Sequence, residues 1–210
     1  MIAGSKQCTY DASLSTIFIV ILTSMAAWML VRTKTFYSQC IFFLFAASML
    51  IPFQAIMLPL INIMGRFKML HPAGLIFMYI GFGSSLSIIL YHGFIKGIPR
   101  ALEEAAIIDG CNVFQVFWKI VFPLLQPTTV TVSILNVMWI WNDFLLPQLV
   151  INKPQWHTIP LRMFYFFGQY SKKWNLALAG LVISMIPIVV FYLGAQQYII
   201  KGVTEGSIKS

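Results

Sequence analysis

Apolar positions in this chain run in long unbroken blocks separated by short polar breaks, rather than alternating or keeping to one helical face. Residues 14–31 carry no charge and stop at Arg32 and Lys34. Residues 40–63 hold Pro52 and Pro59, and residues 73–95 hold the small-residue run GFGSS at 81–85. Residues 128–150 contain Asn142, Asp143 and Pro147, and residues 176–200 contain Pro187. Each block has the length, about 17–25 residues, that carries a helix across a bilayer. Backbone groups in lipid must bond within their own segment, and the alternating pattern of a membrane barrel is absent, so the blocks predict helices. The expected fold is an all-α polytopic membrane protein of about five transmembrane helices, forming one domain over residues 1–210.

The first block is too long for the apolar core of a cleaved leader, and Lys6 is the only basic residue before it. It is expected to be retained as a helix. Prolines inside the spans predict bends, tolerated in membranes where neighbours restore the lost bonds. Gly81, Gly83, Ser84 and Ser85 predict a place where helices approach closely.

Composition supports a membrane setting. The chain is 59% hydrophobic and 10% charged, with mean hydropathy +0.82. Ordinary soluble domains carry roughly 25% charged residues. The net charge of +8 is spread between apolar runs with no basic stripe, which argues against nucleic acid as a partner. Cys8, Cys40 and Cys111 are far apart, as are His71, His92 and His157, so neither a disulfide framework nor a metal site is read. No phosphate-binding G-x-x-x-x-G-K-[ST] and no nucleophile with its base are present, so no catalytic residue and no cofactor are expected. With five helices the basic residues divide seven against seven between the two sides, so the charge rule does not orient the chain.

The polar segment 96–127 stands out. Three of the six carboxylates, Glu103, Glu104 and Asp109, fall within seven positions there. Pro99 suits the start of a helix, Gly110 suits its end, and Asn112 with Gln115 forms a capping-box pattern for a second helix closed by Pro123. A short helix, a tight turn and a second short helix are expected. Local helix electrostatics does not explain the acids: Glu103 and Glu104 lie past the first turn, and Asp109 sits at the unfavourable end. Asp109 could bond turn backbone as Asx residues do. A basic partner or a solvated face remains for the glutamates.

Glu104-Ala105-Ala106, then Asp109-Gly110, then nine residues, then Ile120-x-x-Pro123, resembles the EAA loop of ABC importer permeases, with Phe122 where the family usually has Leu. IPRALEEAA at 98–106, WNDFLLP at 141–147 and the tail KGVTEGSIKS at 201–210 are similar to the sugar-importer branch, the maltose-type second permease. The resemblance runs from about residue 13 to the C-terminus. Family members usually carry six spans, and this chain starts just before what resembles the second.

The resemblance implies a permease subunit of a binding-protein-dependent importer, in the bacterial plasma membrane. It would form half of a sugar pathway with a second permease. Two cytoplasmic ATPase subunits would drive transport, and an extracytoplasmic sugar-binding protein would deliver the solute. The loop at 96–127 would couple to the ATPase through Glu103, Glu104, Ala105, Ala106, Asp109, Gly110, Ile120 and Pro123. Glu104 would make the contact with a basic group and Gly110 the turn. Glu103, about 100° away around the helix, is the weaker contact. The loop at 151–175, with aromatics Trp156, Phe164, Tyr165, Phe166, Phe167 and Tyr170, would be external, facing either the binding protein or the lipid interface. The tail 201–210 would be cytoplasmic.

Asn136, Trp139, Asn142 and Asp143 are candidates for lining the pathway, with Trp141 beside them. An ionisable residue in a span is a functional hypothesis by default. An Asp143 paired with Asn142 or Trp141 at the interface is the plainer reading. Two other classes compete. A secondary transporter would couple Asp143 to an ion gradient, but no inverted repeat is visible. A membrane enzyme would need its carboxylates in one pocket, and adjacent glutamates on a helix point apart.

Overall fold

The structure, a computed structural model, describes residues 2–164, 178–182, 185–187, 189–190 and 192–194. Among these there is no strand. Helix α1 runs over Ile2–Arg32, α2 over Phe36–Ser48, α3 over Phe53–Arg66 and α4 over Pro72–Lys96. Helices α5 (Arg100–Ile108) and α6 (Val113–Val116), a π-helical turn (Phe117–Val121) and α7 (Phe122–Leu124) form the polar segment. They are followed by α8 (Gln126–Asn142), α9 (Leu145–Val150) and α10 (Ile159–Phe164). The described residues between 178 and 194 are helical.

Among the described residues two helices are long and apolar enough to cross a membrane unbroken, Lys6–Arg32 and Pro72–Lys96. Two further spans are possible only as bent pairs, Phe36–Ser48 with Phe53–Arg66 and Val113–Leu124 with Gln126–Asn142. The expected block 40–63 is therefore not one helix. Helix α2 ends at Ser48, and Pro52 starts the next helix rather than kinking a continuous one: its φ of −65° and ψ of 138° make it the N-cap of α3. Pro59 lies inside α3. The expected block 128–150 also breaks, between Asn142 and Leu145. The last block, 176–200, falls partly outside the described residues, as do Tyr165, Phe166, Phe167, Tyr170 and the tail 201–210.

The chain forms two compact units. One comprises Met1–Ile17, Pro52–Phe82 and Leu135–Ala195; the other comprises Phe18–Ile51, Gly83–Ile134 and Gln196–Ser210. In the first, Cys8, Trp141, Ile159 and Met163 make a buried cluster, and the Ile159 N–H donates to Cys8 Sγ at 3.2 Å. Gly74, in the first turn of α4, lies against Met69, whose carbonyl leaves no room for a Cβ. Gly81 faces open space, so the close approach expected there is not made by that glycine. In the second unit Tyr91, Ile95, Phe117, Val121 and Leu125 are fully enclosed, and the Tyr91 hydroxyl donates to Thr129 Oγ1 at 3.0 Å. Ser85 does meet another helix there, sharing a 2.6 Å hydrogen bond with Ser48.

Helices α2 and α3 reverse the pattern of a soluble helix. Ser38 is the buried residue of α2 and α3 buries none, while Phe43, Leu44 and Leu58 point outward. Such apolar exposure requires a non-aqueous surround, either lipid or another subunit.

Candidate functional site

The polar segment folds into the expected short helix, tight turn and second helix. Pro99 is the N-cap of α5, one position earlier than the sequence suggests. Gly110 takes φ +86°, and the Cys111 N–H returns to the Ala106 carbonyl at 2.9 Å to close the end of α5. Asn112 and Gln115 form the reciprocal cap: each accepts at its side-chain oxygen from the other's N–H at 2.9 Å. Pro123 does not close the second helix. The chain continues through the π-helical turn and α7 to Leu125 and then bends by 76° into α8. Phe117, Trp118 and Phe122 pack on one another around this turn, with centroids 5.0–5.8 Å apart.

Gly110 is where backbone alone decides. A side chain with a Cβ is strained at this φ by about 1–2 kcal/mol, and Asn tolerates it best. No atom lies within 4 Å of where that Cβ would sit. Gly110→Val is therefore expected to destabilise by about 2 kcal/mol, and Gly110→Asn by clearly less. Thermal unfolding of the two variants in one detergent checks the order; equal losses would place the cause in packing instead.

The two glutamates part company. Glu103 and Ala106, three apart, face inward and are buried, while Glu104, Ala105, Ile107 and Ile108 are exposed. Glu103 Oε1 accepts from Arg32 Nη2 at 2.6 Å and from Arg32 Nε at 2.8 Å, and Oε2 accepts from Trp28 Nε1 at 3.1 Å. Arg32 also donates to the Ile98 carbonyl at 3.0 Å. In return Arg100 donates to the Arg32 carbonyl at 2.9 Å, satisfying the end of α1. Trp28 packs on Phe117, 5.5 Å between centroids. The ion pair thus ties α5 to the end of α1. Glu103 has its partner within the chain. Sequence reasoning missed Trp28 and Arg32; the spacing of an Arg at a span end offered no sign of a partner 71 positions later.

Glu104 stands in an exposed apolar patch. Ile108 is 85% exposed, Phe114 67% and Val113 61%. Asp109 is exposed at the C-cap of α5, and its expected side-chain bond to the turn is not formed among the described residues. Ile120 is half-buried and Pro123 exposed. An apolar patch carrying a free carboxylate, on the most polar segment of the chain, has the character of a docking surface.

The pathway candidates lie in the other unit. The pairing expected between Asp143 and Asn142 or Trp141 is not the one formed. Its Oδ2 accepts from the Tyr79 hydroxyl at 2.9 Å, and its Oδ1 accepts from the Leu145 N–H at 3.1 Å. The carboxylate thereby restarts the backbone after the break that ends α8, an Asx-type role. Trp139 meets Tyr79 edge-on at 5.5 Å and is 44% exposed. Asn142 donates to the Met138 carbonyl of its own helix, and Asn136 is buried. Tyr79, unremarked in the sequence, is the residue that joins Trp139 and Asp143.

Comparison with known proteins follows the same lines. Residues 19–205 match the model of the family described as binding-protein-dependent transport system inner membrane component. The chain is 51% identical over 195 residues to the probable starch degradation products transport system permease protein AmyC of Thermoanaerobacterium thermosulfurigenes, covering 93% of this chain and 71% of that protein. It is 34% identical to the multiple sugar-binding transport system permease MsmG of Streptococcus mutans, covering 93% and 72%. The fold is similar to a chain of a bacterial ABC transporter involved in import of the acidic polysaccharide alginate. That match has TM-score 0.78 and 23% identity, over 93% of this chain and 74% of that one.

Proposed function

The chain belongs to the binding-protein-dependent transport system inner membrane component family, and on that premise we propose that it is the permease half of an ATP-driven oligosaccharide importer in the bacterial plasma membrane. That it is a polytopic permease subunit follows from the family and from its apolar helices. The sugar class is supported by the relatives, whose names concern starch products, multiple sugars and melibiose, raffinose and stachyose. A second permease completes the pathway, and a solute-binding protein delivers the sugar from outside.

The observation that carries the coupling reading is the exposed patch of Glu104, Ile107, Ile108 and Phe114 on a rigidly capped helix pair. A separate ATPase subunit docks there on the cytoplasmic side. Glu104 meets a basic group, and the apolar residues around it exclude water from the contact, so that the charge-assisted bond is strengthened. Ile120 and Pro123 set the return into α8.

Radiolabelled maltooligosaccharide uptake, with the partner subunits co-expressed in cells, tests this. Depleting ATP while an ion gradient is maintained is expected to stop uptake. Collapsing the gradient at constant ATP is expected to leave it. The reverse pattern would make the chain an ion-coupled transporter built around Asp143.

A further inference from the structure

Beside the ends of α1 and α4 lies a cavity of about 840 Å³. Lys34, Lys96, Arg100 and Arg32 line it, and no carboxylate does. Arg32 is compensated by Glu103. Arg100 spends one N–H on the Arg32 carbonyl and keeps its charge. Lys34 and Lys96 have no ion-pair partner among the described residues. Three cations thus face one concavity without an acid. All three are exposed, so the concavity presents uncompensated positive charge that attracts an anion from outside.

The place of the cavity says which anion. Arg32 and Lys96 are the last residues of the two unbroken apolar spans, so the cations stand at the level where hydrocarbon gives way to headgroups. Helix α2 gives the lining an apolar wall in Phe42 and Phe43, next to Ser38 and Gln39, and Phe42 is stacked on His92 at 3.9 Å. Along the same helix Phe36, Tyr37 and Leu44 are more than two-thirds exposed. Basic groups at one end and an outward apolar helix leading from it match a phosphate attached to acyl chains. A free anion would have no use for the apolar wall.

We propose that this cavity binds an anionic glycerophospholipid, its phosphate held by Lys34, Lys96 and Arg100 and its acyl chains lying along α2. The site is independent of which sugar is carried. An annular lipid held there would also lie beside Pro99 and Arg100, where the chain enters α5.

The test is native mass spectrometry of the full chain with its co-expressed subunits. The complex is released from nanodiscs holding equal phosphatidylglycerol and phosphatidylcholine. Retained phosphatidylglycerol is expected to exceed phosphatidylcholine at least tenfold. Each interfacial cation contributes about fivefold, so the combined variant Lys34→Gln, Lys96→Gln, Arg100→Gln should lose roughly a hundredfold. Lys34→Gln and Lys96→Gln alone should each lose about fivefold, which keeps the test open if the triple variant misfolds. Lys153→Gln, after α9 and outside the cavity lining, should retain the lipid. Equal retention of both lipids, or undiminished phosphatidylglycerol in the single variants, would overturn the proposal. Displacement by millimolar inorganic phosphate would overturn it too, in favour of a free-phosphate site.

Discussion

Glu104→Lys is expected to abolish capture of the ATPase subunit and, with it, sugar uptake, while the permease itself still inserts and folds. The side chain is exposed and makes no contact that the chain needs for stability, so exchange for another long, helix-compatible residue should change stability by less than about 0.5 kcal/mol. At the interface the change is large. Truncating one partner of a desolvated charge pair costs about 2–5 kcal/mol, and the reversed sign adds repulsion. Even about 2 kcal/mol weakens binding roughly thirtyfold. Pull-down of the ATPase from detergent, beside uptake in cells, reads both effects. A variant that keeps ATPase capture and uptake would show Glu104 to be a solvated acid and would remove the coupling assignment. Ile108→Ser should weaken capture in the same direction by losing apolar contact, without altering charge.

The second large effect is expected at the neighbouring glutamate and for the opposite reason. Glu103→Ala should destabilise the permease itself by about 3 kcal/mol, because the buried Trp28 N–H loses its acceptor and the half-buried Arg32 loses its carboxylate. In a chain of this size that corresponds to a loss of about 6 °C or more in Tm. Replacing Arg32 and Glu103 together by methionine should recover much of the loss, since paired charges can be exchanged for packed apolar groups at little cost. The comparison with Glu104→Lys is the informative one: adjacent positions, one failing in folding and the other in docking. If Glu103→Ala unfolds at the parental temperature, the ion pair is not a tie between α5 and α1.

Much of the polar segment was legible because its rules are local. Gly110 at positive φ and the Asn112–Gln115 cap depend on residues no more than a few positions apart, and both formed as their spacing implied. The ending of the second helix was misjudged because Pro123 sits in the first turn of α7, where a missing N–H is harmless. The partner of Glu103 was not legible because it lies in α1, far along the chain. Asp143 was given the wrong partner for the same reason: Tyr79 comes from α4.

By itself the sequence determined that this is a helical membrane protein, since its apolar blocks have bilayer length and lipid permits little other than helices. The spaced residues of 98–123 likewise determined the family, because such a motif is read position by position without coordinates. Only the tertiary structure decided which of two adjacent glutamates is free. Helical rotation turns Glu103 inward and Glu104 outward, and whether inward means a buried charge or a paired one depends on Arg32 arriving from another helix. It also decided that block 40–63 breaks between Ser48 and Phe53, and that Lys34 shares one cavity with the distant Lys96 and Arg100. Those outcomes rest on contacts between segments, which hydropathy and local spacing do not encode.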